Sequence, residues 1–239
     1  MSSSQKVIFN CLAKDVENAK EIVKVAGDRV LIGIMVKSFP DTQSAIDEVK
    51  LYQENNIPVS VGLGAGDPAV WKQVADVSAK TIPNHINQVF PASGYTLGRM
   101  EEVGAQNTII NALIKPSGTP GQVIIATGPD SSRFEETVSA ELAAVTLAEM
   151  GVDSVKFYPI DGEKRLDEVA AMVKAAVGAG IKYFEPTGGI TLDNVEVIVK
   201  TCLENGAEVV IPHLYTSLID KATGETKIEN IEKLVSIEW

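Results

Sequence analysis

The sequence is poor in the residues that would mark a disulfide-stapled, metal-binding or membrane protein. Only two cysteines, Cys11 and Cys202, occur in 239 residues, far apart and without metal-like spacing. That excludes a disulfide framework and suggests a reduced, intracellular protein. The two histidines, His85 and His213, lack acids at ligand spacing, so no zinc site is expected. No apolar run approaches the length of a membrane span, and Met1 to Lys6 is polar with no apolar signal segment behind it. The expectation is a soluble, cytoplasmic protein without membrane association. Positive charge is also in deficit. A net charge of −11 argues against a nucleic-acid-binding surface, while still permitting a small basic pocket for an anionic metabolite.

What the chain does have is alternation. Short apolar runs take turns with amphipathic stretches from end to end, the pattern of parallel strands joined by crossover helices. The expected strands are Val7 to Ala13, Val30 to Lys37, Val59 to Gly64, Ile86 to Pro91, Val123 to Thr127, Ser154 to Ile160, Tyr183 to Thr187 and Val209 to Leu214. Eight such units suggest an α/β protein, a (β/α)8 TIM barrel, and the length suits one domain over residues 1–239. Local signals agree. Asp15, Asp41 or Thr42, and Asp67 before Pro68 supply helix-capping oxygens, and Gly151, Gly180 and Gly206 stand where helices end. One segment does not fit the alternation. Thr108 to Lys115 is strand-like, residues 116–121 turn, and Gln122 to Thr127 is strand-like again. This reads as a β-hairpin insertion whose second arm enters the barrel and whose first arm is a rim or subunit-contact element.

In barrels of this type functional groups collect at the C-terminal ends of the strands. Lys37, Asp67, Lys156, Tyr158, Glu185, Thr187, Gly188, Gly189 and His213 all fall there. Lys156 is the oddity. It interrupts the apolar run from Val155 to Pro159, and alternation puts it on the face opposite Val155 and Phe157. A lysine within a sheet covered on both sides is a candidate Schiff-base amine. At an ordinary lysine pKa, about one amine in a few thousand is neutral at pH 7, so desolvation or a nearby cation has to help. The run Glu185-Pro186-Thr187-Gly188-Gly189-Ile190 ends a strand in paired glycines ahead of a helix start. Such glycines serve either a tight turn or the approach of backbone N–H groups to an anion.

The motifs Val155-Lys156-Phe157-Tyr158-Pro159 and Pro186-Thr187-Gly188-Gly189-Ile190 resemble the imine-forming strand and the Thr-Gly-Gly strand end of the 2-keto-3-deoxy-6-phosphogluconate (KDPG) aldolase family. The whole sequence more closely resembles a divergent branch of that superfamily, the KDGP aldolases associated with bacterial glucosaminate breakdown. The resemblance implies cleavage of 2-dehydro-3-deoxy-6-phosphogluconate to pyruvate and glyceraldehyde 3-phosphate by a class I aldolase, with no metal or other cofactor. It implies that Lys156 forms the imine and Thr187 contacts the pyruvyl carboxylate. Gly188 and Gly189 would offer backbone donors to the phosphate, and Lys37 would stand near the place of a carboxylate-binding arginine. The expected partners are the phosphorylated keto-deoxy sugar acid and pyruvate, with the chain as a homo-oligomer.

Two departures from the family pattern stand out. The second strand, Val30 to Val36, has no acid where the family's general-base glutamate belongs, and the last strand reads Ile211-Pro212-His213-Leu214 in place of Gly-Gly-Ser. Glu185 is the expected replacement base, with an ion pair to Lys156 as the competing reading; it shares a face with Thr187. His213 reads either as a substrate contact or as a structural histidine. Tyr158 could relay a proton or cover the imine, Asp67 is foremost a helix cap, and His85 reads as a loop or capping residue. Two other functions remain open: an aldolase for a short unphosphorylated substrate such as 4-hydroxy-2-oxoglutarate, and a non-enzymatic sugar-phosphate-binding barrel.

Overall fold

The computed structural model describes residues 6–239. Ten strands occur in chain order: β1 (Phe9–Cys11), β2 (Val30–Met35), β3 (Val59–Gly62), β4 (His85–Val89), β5 (Ile109–Pro116), β6 (Gln122–Ile124), β7 (Val138–Ser139), β8 (Ser154–Phe157), β9 (Tyr183–Pro186) and β10 (Val209–Val210). Eight helices accompany them: α1 (Val16–Ala26), α2 (Thr42–Glu54), α3 (Trp71–Thr81), α4 (Ser93–Glu102), α5 (Ala140–Glu149), α6 (Leu166–Gly178), α7 (Val195–Glu204) and α8 (Ile228–Ser236). Strands β1, β2, β3, β4, β5, β8, β9 and β10 pair in that order, each parallel to the next. The ends of the sheet meet. Val7 bridges Val210 and Asn10 bridges His213, both parallel, and Ile8 N–H donates to Val210 O at 3.0 Å. The result is a (β/α)8 barrel. Among the described residues no helix is long and apolar enough to cross a membrane.

The hairpin is there with its arms exchanged. The first arm, β5, is the barrel strand, flanked by β4 and β8, while β6 pairs antiparallel with β5 and β7 off the barrel path. The reason lies in the two faces. β5 runs for eight residues and buries Ile110, Ala112 and Ile114 on one side with Asn111 and Leu113 on the other, so it can serve two neighbours within a closed sheet. β6 is three residues long with half-buried ends and suits only an outer ribbon.

Helix starts follow the local chemistry. Asp15 accepts from Asn18 N–H at 2.9 Å, Asp41 from Ser44 N–H at 2.8 Å, and Asp67 from Ala69 N–H at 3.0 Å. Gly151, Gly180 and Gly206 take positive φ just past α5, α6 and α7.

Strand register sorts the barrel into two layers. Phe9, Ile32, Val61, Ile86, Ile110, Ile114, Val155, Phe157 and Phe184 belong to the apolar core between strands and helices. The alternate positions point inward, and there the buried residues include Asn10, Ser60, His85, Asn87, Asn111, Ser154, Lys156 and Glu185. The barrel's interior is therefore a polar, hydrogen-bonded layer wrapped in an apolar one.

Candidate active site

At the C-terminal ends of the strands lies a cavity of about 330 Å³ whose wall includes Asn87, Lys156, Tyr158, Thr187, His213 and Tyr215. No aspartate or glutamate contributes to that wall among the described residues. Lys156 is placed by the strand pattern. Val155 and Phe157 anchor β8 in the apolar layer, and the ammonium turns into the barrel with 9% exposure. Its Nζ donates to Asn87 Oδ1 at 2.9 Å and lies 3.3 Å from His213 Nδ1. Burial pushes the amine down to about 8, against the opposing charge of Glu185. At that value roughly one amine in ten is neutral at pH 7, on the order of a hundredfold more than for an ordinary lysine.

Behind Lys156 sits a buried carboxylate with a full complement of donors. Glu185 is registered beside Lys156 on the neighbouring strand and is 0% exposed. Its Oε2 accepts from Asn111 Nδ2 at 2.7 Å and from His213 Nε2 at 2.8 Å. Its Oε1 accepts from His85 Nε2 at 2.9 Å and from the Ser154 hydroxyl. Burial works against its charge, yet electrostatic attraction to and hydrogen bonds from His85 and His213 outweigh it and hold the carboxyl below the usual carboxylate range. Donor counting then settles the tautomers. Ser60 Oγ accepts from Asn10 Nδ2 and from Asn87 Nδ2, each at 2.9 Å, so its proton goes to His85 Nδ1 at 2.8 Å. His85 thus carries its proton on Nε2, toward Glu185. His213 does the same and turns an unprotonated Nδ1 toward Lys156. Burial and the Lys156 charge push His213 down to about 3, so the ring is neutral at rest.

Of the residues singled out from the sequence, Lys156, Thr187, Gly188, Gly189 and His213 are brought together on the cavity wall. Thr187 is 9% exposed and donates its hydroxyl to Glu185 O at 3.2 Å. Gly188 and Gly189 adopt φ +102° and +72°. Among the described residues their N–H groups and that of Ile190 make no hydrogen bond. These glycines are also sterically required, since a Cβ on Gly189 would lie 2.6 Å from Gly162 N.

Two expected residues stand elsewhere. Lys37 follows β2 on a short turn, Val36–Ser38, and its Nζ pairs with Asp67 at 2.8 Å with the side chain 54% exposed. It is outside the cavity wall, although its stem packs close to Gly64, which lines it. Glu185 does not line the cavity either; with four donors on its two oxygens it has no lone pair free for substrate, and it connects to Lys156 through His213 and, at one remove further, through Asn111 and Asn87. His85, read from the sequence as a loop residue, is inside β4 and fully buried. Asn10, Ser60, Asn87, Asn111 and Ser154 were not singled out. Their signal resembles that of Lys156: Ser60 between valines, and Asn111 between Ile110 and Ala112, each put one polar residue inside an apolar run.

Comparison with known proteins bears on what this site does. A family model described as KDGP aldolase matches residues 3–222. The 2-dehydro-3-deoxy-phosphogluconate aldolase of Salmonella typhimurium (strain 14028s / SGSC 2262) is 44% identical over 234 residues, 98% of this chain and 95% of that protein. Among solved structures, KGPDC from Streptococcus mutans superposes with a TM-score of 0.62 at 12% identity, covering 98% of this chain and 100% of that one. N-(5'-phosphoribosyl)anthranilate isomerase from Pyrococcus furiosus gives 0.58 at 15% identity, with 96% of each chain covered. At such identities the two structures speak to the fold alone.

Proposed function

Because the chain belongs to the KDGP aldolase family, we propose that it is an aldehyde-lyase cleaving 2-dehydro-3-deoxy-6-phosphogluconate to pyruvate and glyceraldehyde 3-phosphate through an imine on Lys156. The observation that carries this reading is a single one: a buried lysine on the cavity wall, pushed down to about 8 and held in place by Asn87. Neutral Lys156 attacks the C2 ketone, and loss of water leaves an iminium. Removal of the C4 hydroxyl proton breaks the C3–C4 bond, releases the aldehyde, and sends the bonding pair into the iminium to form an enamine. Protonation at C3 and hydrolysis free pyruvate and the amine.

The phosphate end of the substrate fits the loops after β9 and β10. The N–H groups of Gly188, Gly189 and Ile190 are unengaged among the described residues, and they precede α7. Ser217 Oγ, buried on the same wall, also has no hydrogen-bond partner there. Thr187 lines the same wall as Lys156, where its hydroxyl would meet the pyruvyl carboxylate. We place the protein in the cytoplasm as a single (β/α)8 domain over residues 1–239. We read it as a homo-oligomer, for which the exposed Leu142 and Val145 on α5 offer an apolar contact; sedimentation as a monomer would refute that part.

Borohydride reduction with pyruvate, followed by peptide mapping, should label Lys156 alone. Absence of any adduct would leave a sugar-phosphate-binding barrel as the reading, and labelling of another lysine would move the centre. Comparing phosphorylated with unphosphorylated substrates separates this activity from cleavage of 4-hydroxy-2-oxoglutarate. Ser217→Ala should raise KM for the phosphorylated substrate only. An equal effect on both would place the phosphate elsewhere.

A further inference from the structure

We propose that His213 is the catalytic residue that carries protons at the Lys156 centre, and that Glu185 is a positioning residue that holds His213 with Nδ1 free. The assignment rests on the Schiff-base reading above. The second strand has no acid, and the cavity wall contains none among the described residues. Side chains there able to exchange a proton are Lys156, Tyr158, His213 and Tyr215. Burial raises the Tyr215 phenol further above its ordinary value, which leaves it protonated and unsuited to accept. His213 differs in presenting an immobilised, unprotonated nitrogen aimed at Lys156. Its ring is fixed at one end by the 2.8 Å bond from Nε2 to Glu185, and at the other Nδ1 stands 3.3 Å from the nitrogen that would bear the iminium.

The donor count around Glu185 gives the direction of proton flow. Asn111, Ser154 and His85 already donate to the carboxylate, and Ser60 holds His85 in the matching tautomer. A second tautomer of His213 would turn a lone pair toward Oε2 and lose a buried charge-assisted bond. Nδ1 therefore stays the acceptor. As the C3–C4 bond breaks, Nδ1 takes the C4 hydroxyl proton, and the bonding pair neutralises the iminium. The positive charge moves from Lys156 to the imidazole and keeps Glu185 as its counter-ion, so the net charge of the buried site is unchanged. After burial, the charge on Lys156 is the next largest of the three causes that depress His213 at rest, and it disappears at the moment the base is needed. The imidazolium then gives the same proton to C3 of the enamine.

The test compares imine formation with proton transfer in His213→Gln, which can still donate to Glu185 but has no ring nitrogen facing Lys156. It should trap pyruvate on Lys156 under borohydride, while exchange of pyruvate methyl protons with deuterium and substrate cleavage both fall by about 100-fold or more. His213→Ala should behave likewise and regain exchange with added imidazole. Glu185→Gln should leave His213 present in mixed tautomers by ¹⁵N NMR, with slower exchange and trapping retained. Wild-type exchange in either His213 variant overturns the assignment and leaves the imine reading standing. Failure of the wild-type protein to trap pyruvate sinks the imine reading itself.

Discussion

On β8, Val155 and Phe157 face the helices and are fully buried among aliphatic and aromatic neighbours, while Ser154 and Lys156 face the barrel's interior and bond to Glu185, Asn87 and His213. The two faces of one four-residue strand thus follow different rules. Outward side chains stabilise by removal from water, about 1.5–3 kcal/mol each for a large one. Inward polar groups lose hydration and recover it through hydrogen bonds whose net worth is about 1 kcal/mol apiece. The outer layer holds the barrel together, and the inner layer holds a reactive amine and its proton partners in one geometry.

The comparison breaks most sharply at Lys156. Lys156→Met should lower the cleavage rate by about a thousandfold or more, yet leave denaturant stability level or slightly higher, because an ammonium no longer has to be buried. A large loss of stability would mean that the inner face holds the fold as well. The converse is Phe157→Ala, expected to cost about 3–5 kcal/mol in urea unfolding. The remaining folded fraction should still trap pyruvate on Lys156, since the two side chains leave β8 on opposite faces. Loss of trapping in that fraction would show that the layers are coupled.

Proton linkage sharpens the contrast further. With the amine at about 8 in the folded chain and 10.5 as its ordinary value, the unfolded chain holds the extra proton between those pH values. Stability should therefore rise with pH across that window, and Lys156→Met should flatten the rise. Borohydride trapping should climb along the same titration, about tenfold per pH unit below 8, with no further inflection near 6.5, because His213 is already neutral there. A rate profile governed by a group near 6.5 would contradict the arrangement. The smallest effect is expected at Ser60→Ala, about 1–2 kcal/mol of stability with a modest fall in exchange, since it frees His85 to change tautomer two steps from the reacting atoms. No change in either would show that Ser60 does not orient the network.

Much of this was legible in the residues. Alternation announced a parallel barrel, Asp15, Asp41 and Asp67 announced helix starts, and the lysine within Val155 to Phe157 announced a buried amine. The hairpin was misread because β5 and β6 both look like strands locally. What separates them is which one finds neighbours on both edges, and that depends on β4 and β8, whose partners in the register are 24 and 43 positions away. Glu185 reads from the sequence as the general base or the ion-pair partner of Lys156: alternation correctly puts it on the face of Thr187, but depth along that face is set by the barrel's closure.

The sequence by itself determined the alternation of strands and helices, the face that Lys156 and Glu185 occupy and the family to which the chain belongs, because periodicity, capping and motif are short-range properties carried by neighbours in the chain. Only the tertiary structure decided which polar side chains meet. His85 and Glu185 are 100 positions apart, Lys156 and Asn87 are 69 apart, and Lys156 and His213 are 57 apart. Closing eight strands into a barrel turns those separations into hydrogen bonds, and the number of donors around one carboxylate then determines which nitrogen is left to act as a base.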